Sequence, residues 1–533
     1  MEADKLYGIG VDFGTDSVRA SLVAYTDGKV LASTSVEYPR WKQELYCESS
    51  IAQFRQHPLD YQESLILTLK NLLSPFDNTV RSAVGSIGVG ATGSTVAPVN
   101  ETGTPLAMLP SFMDDPAAMF HLWKDHTSSE EASSFNTLAG TFKENYTRFQ
   151  GRYSSEWFWA KIAHTGKQAP HIKEASNSWI ELCDWIIHLL VGGDTITYRS
   201  KCAATHKALW NSNFGGLPSK EFLRAFDSYA ASVRENYTQR PEASTAKTGM
   251  LNKSWASFFE LPEDVIIGGS SLDAHAGAVG AGIKEGTLVS VLGTSAVHMT
   301  LLPYGKETQT ENLTRFAGLA EDSIIPGFWG VESGQAAFGD VLSWFSRLLS
   351  TFVEPKEELL PRLDKLLEHT KKEYEVTALE WFNGRRYPDT SDAVRGALLS
   401  LDLSTDAASI YGALSNAILF GLKRIVQGMQ ESSISIEQVR VTGGIARKSP
   451  VLMQRLSTIL NLPILALMEK ETCALGAAMY GAVAKGRFAD LGKAQEAMAA
   501  KEGIPYTPIE EDVPFYAERY LEYLRYALAL EPV

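Results

Sequence analysis

Two short stretches of this 533-residue chain place glycine, hydroxyl and acidic residues at the end of an apolar strand: Asp12-Phe13-Gly14-Thr15 and Leu292-Gly293-Thr294-Ser295. Turns of this kind suit phosphate. A phosphate needs several donors converging on it, and the backbone N–H groups of a tight turn supply them without side-chain entropy. Gly14 and Thr15 in the first turn, with Gly293, Thr294 and Ser295 in the second, suit a polyphosphate gripped from two sides. One Asp-x-Gly-Thr alone is more often an ordinary hairpin, so the weight rests on the second copy in a matched strand context. Asp12 would face the same phosphates and repel them unless a hard cation intervened, which makes Mg2+ held mostly through water the natural partner.

A third candidate is VTGGIARKSP, residues 441–450. A glycine pair between a strand and a helix start lets a flat base approach the backbone closely, so Gly443 and Gly444 are candidates for adenine, although strand-to-helix turns use glycine anyway. The acid–base candidate is Asp273 in GGSSLDAHAGAVGAG. Phosphoryl transfer to a hydroxyl calls for a carboxylate near the attacking oxygen, and a positioned base adds ~10²- to 10⁴-fold, for which an ordinary carboxylate pKa suffices. An aspartate at such a place also serves as a helix N-cap, and the two roles are compatible.

The elements that must carry these residues are legible in part. Leu6 to Asp12, Val18 to Tyr25 and Val30 to Tyr38 read as strands, with Phe13 to Ser17 a tight turn and Asp27-Gly28 a two-residue hairpin, giving an antiparallel meander. A helix is expected from about Pro58 to Leu73, followed by a buried strand in SIGVGA. From Gly286, GTLVSVLGTSAVHMTLL repeats the strand–turn–strand grammar. After it come a long amphipathic helix (SIYGALSNAILFGLKRIVQGMQ), a strand into the glycine pair, a helix (SPVLMQRLSTIL), the strand LPILAL and a closing helix through CALGAAMYGAVAKG. Strands alternating with helices after each hairpin indicate α/β layers. An aromatic-rich insertion, about 110–254, separates the two cores, and the charged run from Glu354 to Glu375 reads most simply as a solvated helix.

Length alone asks for two domains, here 1–285 and 286–533. The net charge of -14 disfavours a broad contact with nucleic acid. The absence of a signal-like start and of any run of ~20 apolar residues points to a cytoplasmic chain with no membrane partner. Cys47, Cys183, Cys202 and Cys473 lie far apart, as thiols of a reducing compartment do. No GxxxxGK[ST] occurs. The GxGxxG at 88–93 precedes strand and turn residues instead of the helix a dinucleotide fold requires, which disfavours a nicotinamide oxidoreductase and leaves those glycines for close packing.

GVDFGTDSVRA, LGTS, TGGIARKSP and CALGAAMYGAV, in this order, resemble the FGGY carbohydrate kinases of the actin-like ATPase superfamily. The intervening EYPRW, QFRQHPLDY, GATGSTVAPV, LWKDHT, YSSEWFWAKI, SWIELCDW, THKALW, SLDAHAGAVGAG, PGFWGVESGQAAFGD and WFNGRR resemble the members acting on L-ribulose in particular. The resemblance runs from Gly8 to about Gly486. It implies two actin-like (ribonuclease H-like) domains with mixed sheets flanked by helices and a cleft between them, the N-terminal one binding sugar and the C-terminal one nucleotide. It also implies MgATP-dependent phosphorylation of L-ribulose at its terminal hydroxyl in arabinose breakdown, with another pentulose such as xylulose as the rival substrate and a non-catalytic ATPase as a remoter alternative. Asp273 then matches the catalytic base, Trp123, Lys207 and Glu332 match positions lining the ketopentose, and Asp12 matches the carboxylate near the metal. From residue type alone, Trp123 would be core packing, Lys207 a surface lysine and Glu332 a cap or solvated carboxylate. Thr458 stands where members commonly carry an aspartate. Family habit leaves a homodimer open.

Overall fold

A hairpin forms around Asp27-Gly28, but its loop is longer than the two residues expected, the Ala24 N–H donating to the Lys29 carbonyl and the Gly28 N–H to the Ala24 carbonyl, both at 3.0 Å; β1 (Tyr7–Phe13), β2 (Ser17–Ala24) and β3 (Val30–Glu37) pair antiparallel in sequence. The computed structural model describes residues 5–306, 310–351, 359–369, 376–391 and 393–531. Helix α1 (Pro58–Leu73) begins with proline at its first turn and His57 accepting the Leu59 N–H at 3.1 Å. Tyr61, Leu65, Leu69 and Leu72, spaced three and four apart, bury one face of it. Each such side chain contributes roughly 1.5–3 kcal/mol on leaving water. The chain continues through β4 (Val84–Ala91), β5 (Lys247–Met250) and β6 (Ile266–Leu272), which runs directly into α2 (Asp273–Gly280). The sheet order is β5-β6-β4-β1-β2-β3, with β4 parallel to both β1 and β6.

The second sheet repeats the grammar. β7 (Gly286–Leu292) and β8 (Ala296–Pro303) form the second hairpin; β9 (Phe328–Gln335) and α3 (Gly339–Leu349) follow. Then come α4 (Ala407–Glu431), β10 (Ile436–Thr442), α5 (Gly444–Lys448) and β11 (Ile464–Leu467). β10 lies parallel to β7 on one side and to β11 on the other. Both sheets are mixed and helix-covered, the α/β architecture expected.

By packing, residues 1–282, 320–330 and 471–500 form one unit, and 283–319, 331–470 and 501–533 the other. The expected contiguous halves, cut at 285/286, differ in one functional respect. The closing helix α6 (Thr472–Ala484), read as an element of the C-terminal half, packs inside the first unit against β1, β4, β6 and α2. Its approach is so close that only glycine fits: a Cβ on Gly10 would stand 1.7 Å from the Ala474 carbonyl oxygen, and one on Gly476 would stand 1.9 Å from that of Ala276. The small residues of CALGAAMYGAV thus serve backbone-to-backbone contact with the helix that begins at Asp273.

The insertion does more than dress the first core. Phe135, Tyr153, Phe158, Trp159, Trp179 and Phe222 belong to an aromatic core of its own. Its strand Ser178–Glu181 pairs with Val96–Val99. In the charged run, 354–358 and 370–375 lie outside the described residues. Leu359–His369 is a helix, but Leu359, Leu363 and Leu367 are buried, so it is amphipathic and not simply solvated. Thr458 is buried and locally satisfied, its hydroxyl donating to the Gln454 carbonyl and accepting the Ile509 N–H.

Candidate active site

Strand register brings the two candidate carboxylates of the first unit together. Asp12 on β1 stands opposite Gly90 on β4, and Gly90 stands opposite Ser271 on β6, two residues before Asp273. A Cβ on Gly90 would lie 3.8 Å from the Asp273 Cα and 3.9 Å from Asp12 Oδ1, so the glycine keeps the space between the two acids open. Asp273 is half-buried and is the first residue of α2; Leu272 is the N-cap, so the expectation of an N-cap aspartate is corrected by one position. Its Oδ1 accepts the Ala274 N–H at 2.7 Å.

Asp12 is only 3 % exposed, with Arg19 at 3.5 Å as its cationic neighbour. Burial, and then the negative charge of Asp273, push its carboxyl up to about 7 against the opposing pull of Arg19. Its Oδ1 is buried with no hydrogen-bond partner. An acceptor-only oxygen orphaned beside a second carboxylate is what a hard cation would satisfy, so the residues fit Mg2+.

The first glycine turn is braced by the insertion. The Gly14 N–H closes the turn on the Ser17 carbonyl at 3.0 Å. Thr15 Oγ1 accepts the indole N–H of Trp123 at 3.0 Å, and its carbonyl accepts Gln56 Nε2 at 2.7 Å. Trp123 is half-buried, and its hydrogen bond ties a candidate sugar residue to a candidate phosphate turn. Lys207 is 6 % exposed, which corrects the surface-lysine alternative; its ammonium lies 5.1 Å from the centre of the Trp157 ring.

In the second unit the other turn meets the glycine pair. The Gly293 N–H closes on the Ser295 carbonyl at 3.0 Å. The Phe338 and Asp340 N–H groups donate to the Thr294 carbonyl at 2.8 and 3.1 Å, and the Gly339 N–H to that of Gly293 at 3.0 Å. The start of α3 thereby clamps the turn. Gly443 has φ +103°, and a Cβ there would lie 2.3 Å from the Leu292 carbonyl oxygen, directly before the turn. A Cβ on Gly444 would meet nothing within 4 Å, which leaves room for a flat group. Glu332 lies on β9, half-buried, in the second unit.

Residues 288–485 match the family model described as the FGGY family of carbohydrate kinases, C-terminal domain. A ribulokinase of Vibrio parahaemolyticus is 38% identical over 98% of this chain and 96% of its own length. The chain belongs to the FGGY family of carbohydrate kinases. A ribulokinase of Geobacillus thermodenitrificans is 31% identical over 98% of this chain and 94% of its own. Among solved structures, a xylulose kinase from Rhodospirillum rubrum superposes with a TM-score of 0.81 at 20% identity, covering 98% of this chain and 99% of that one. A glycerol kinase from Plasmodium falciparum, solved with ADP, gives 0.78 at 16% identity, covering 98% of each. These likenesses establish the actin-like ATPase fold of FGGY kinases. ATP is accordingly the co-substrate of this sugar kinase, and no described helix is long and apolar enough to cross a membrane.

Sequence reasoning missed Arg19 as the partner of Asp12, Gly90 as the spacer between the acids, and a buried pair, Lys161 and Glu181. A signal for the pair existed: Lys161 sits in the apolar helix Phe158–Gln168 among Phe158, Trp159 and Ile162, on the side a solvated lysine avoids.

Proposed function

We propose that this FGGY kinase is an ATP-dependent ribulokinase, transferring the γ-phosphoryl group to the terminal hydroxyl of L-ribulose in the cytoplasm. The observation that carries the chemistry is the Asp12–Gly90–Asp273 arrangement, an acid pair held apart by a glycine at the ends of three adjacent strands. Similarity to ribulokinases over nearly the full chain supports the choice of sugar.

Asp273 is the proposed general base. Its Oδ1 is anchored by the Ala274 N–H at the first turn of α2. It would accept the proton of the attacking sugar hydroxyl as the new phosphorus–oxygen bond forms and the bond from the γ-phosphorus to the β–γ bridging oxygen breaks, releasing ADP. Trp123 and Lys207 would line the ketopentose, the lysine donating to its hydroxyls; Glu332, from the second unit, joins them on family resemblance alone. Gly14 and Thr15 in one unit, and Gly293, Thr294 and Ser295 in the other, would hold the phosphates, with Gly443 and Gly444 beside the adenine. Mg2+, held through water by Asp12, would neutralise charge on the phosphates. Asp12 itself must be ionised for that task, which the cation's field would secure.

Coupled ADP release measured over a panel of ketoses, with ³¹P NMR of the product, tests this assignment. The highest kcat/KM should fall to L-ribulose, and the phosphorus signal should couple to the methylene protons at C5. A panel in which xylulose wins by tenfold or more would assign the chain to its rival substrate, and sugar-independent ADP release alone would remove the kinase function.

A further inference from the structure

Behind Trp123 the insertion buries a lysine whose three ammonium protons all go to backbone carbonyls. Lys161 Nζ donates to Ser94 O at 2.7 Å, Leu122 O at 2.8 Å and His121 O at 3.2 Å, and the residue is 1 % exposed. Ser94 belongs to the turn between β4 and Val96–Val99; His121 and Leu122 immediately precede Trp123. Glu181 grips the same turn from the other side, accepting the Ser94 hydroxyl at 2.5 Å and the Thr95 N–H at 3.2 Å. The Asp125 N–H turns back onto the Leu122 carbonyl at 2.9 Å, and Asp125 pairs with buried Arg55. Burial pulls the Lys161 ammonium down from its usual range, and Glu181 is the chief charge opposing that shift. A buried ammonium is costly to retain when an apolar side chain would fill the space, so its presence asks for a role beyond stability.

We infer that Lys161 is a positioning residue for the sugar site: its ammonium staples the turn at 92–95 to the segment that aims Trp123 at Thr15. The inference rests on the reading of Trp123 as a sugar-lining residue. The staple fixes backbone without touching substrate, so its loss should let the Trp123 indole wander from the Thr15 hydroxyl and weaken sugar binding while sparing the nucleotide. A hydrogen-bonded buried charge is hard to replace, because each of the carbonyls left behind loses a charged donor.

Lys161→Met in the full-length enzyme tests this, with Lys161→Met/Glu181→Gln as a charge-balanced second variant should the first fail to fold. Hydrogen exchange should quicken at least tenfold in peptides covering 92–95 and 121–124 and stay within twofold over 286–303. The KM for the ketopentose should rise at least tenfold while the KM for ATP moves less than twofold. In a Trp123→Phe background the same Lys161 change should leave the sugar KM nearly unmoved, which a merely structural lysine would not do. Exchange that is unchanged in both segments, or that quickens evenly across the chain, overturns the staple. Faster local exchange with an unmoved sugar KM upholds the staple and overturns the sugar-lining role of Trp123, so the two failures are separable.

Discussion

Replacing Asp12 with Asn should stabilise the cation-free protein at alkaline pH while abolishing its turnover. The folded carboxyl is pushed up to about 7, from 3.8, by burial and by Asp273. Between these values the native state holds a proton that the unfolded chain has released, so stability falls as pH rises through that window and levels off above it. At ~1.4 kcal/mol per unit the full cost above pH 7 is about 4 kcal/mol. Asn avoids that cost, and the pull of Arg19, 3.5 Å away, is already contained in the raised value. About 4 kcal/mol should therefore favour the variant above pH 8 and shrink towards pH 4. Thermal unfolding of both proteins from pH 5 to 9 in EDTA reads the difference, which cancels contributions from Glu181 and Glu380, two other buried acids with raised values. Adding Mg2+ at pH 8 should raise the Tm of the wild type and leave the variant unmoved. A difference that is flat across pH, or an equal response to Mg2+, would refute the account of Asp12 as a buried, repelled carboxylate awaiting a cation.

Three other substitutions probe neighbouring links. Gly90→Val would push methyl groups into the space between Asp12 and Asp273, since even a Cβ there would stand 3.2 Å from the Ala276 Cβ; turnover should drop at least tenfold in a protein that still binds ATP, as steady-state kinetics and nucleotide titration would show. Lys207→Met removes a buried ammonium proposed to donate to sugar hydroxyls. A charged hydrogen bond is worth ~1.5–3 kcal/mol, so the sugar KM should rise ~10- to 150-fold with circular dichroism unchanged. Gly476→Val drives a side chain into the Ala276 carbonyl at the contact between α6 and α2; the first unit should lose about 3 kcal/mol or more, measured by urea denaturation, because backbone at that contact has nowhere to move.

Much of the fold was legible because it rests on local signals. The alternation of apolar residues and the Asp27-Gly28 pair place the first meander within one residue of β1, β2 and β3, and proline with a three-and-four spacing gives α1 its bounds. The strand-then-turn character after 88–93 is also observed, β4 being followed by the strand Val96–Val99. What sequence could not show is which sheet a late helix joins. α6 is small-residued on every side, a pattern that says close packing without naming the partner, and the partner lies more than 450 residues earlier at Gly10. The site followed the same division. Asp12 was visible as a type at a strand end and Asp273 at a helix start, but their meeting across Gly90 depends on the order β6-β4-β1, which no local pattern encodes. Trp123 and Lys207 came from family resemblance, and their burial and partners belong to the long-range packing of the insertion.

The central claim is that Asp273 takes the proton of the sugar hydroxyl. Turnover of Asp273→Asn with L-ribulose and MgATP, measured beside its affinity for ATP, tests it most directly. The account predicts nucleotide binding within a few-fold of wild type and turnover reduced at least ~10²-fold, the contribution of a positioned base; undiminished turnover in a variant that binds both substrates would contradict it.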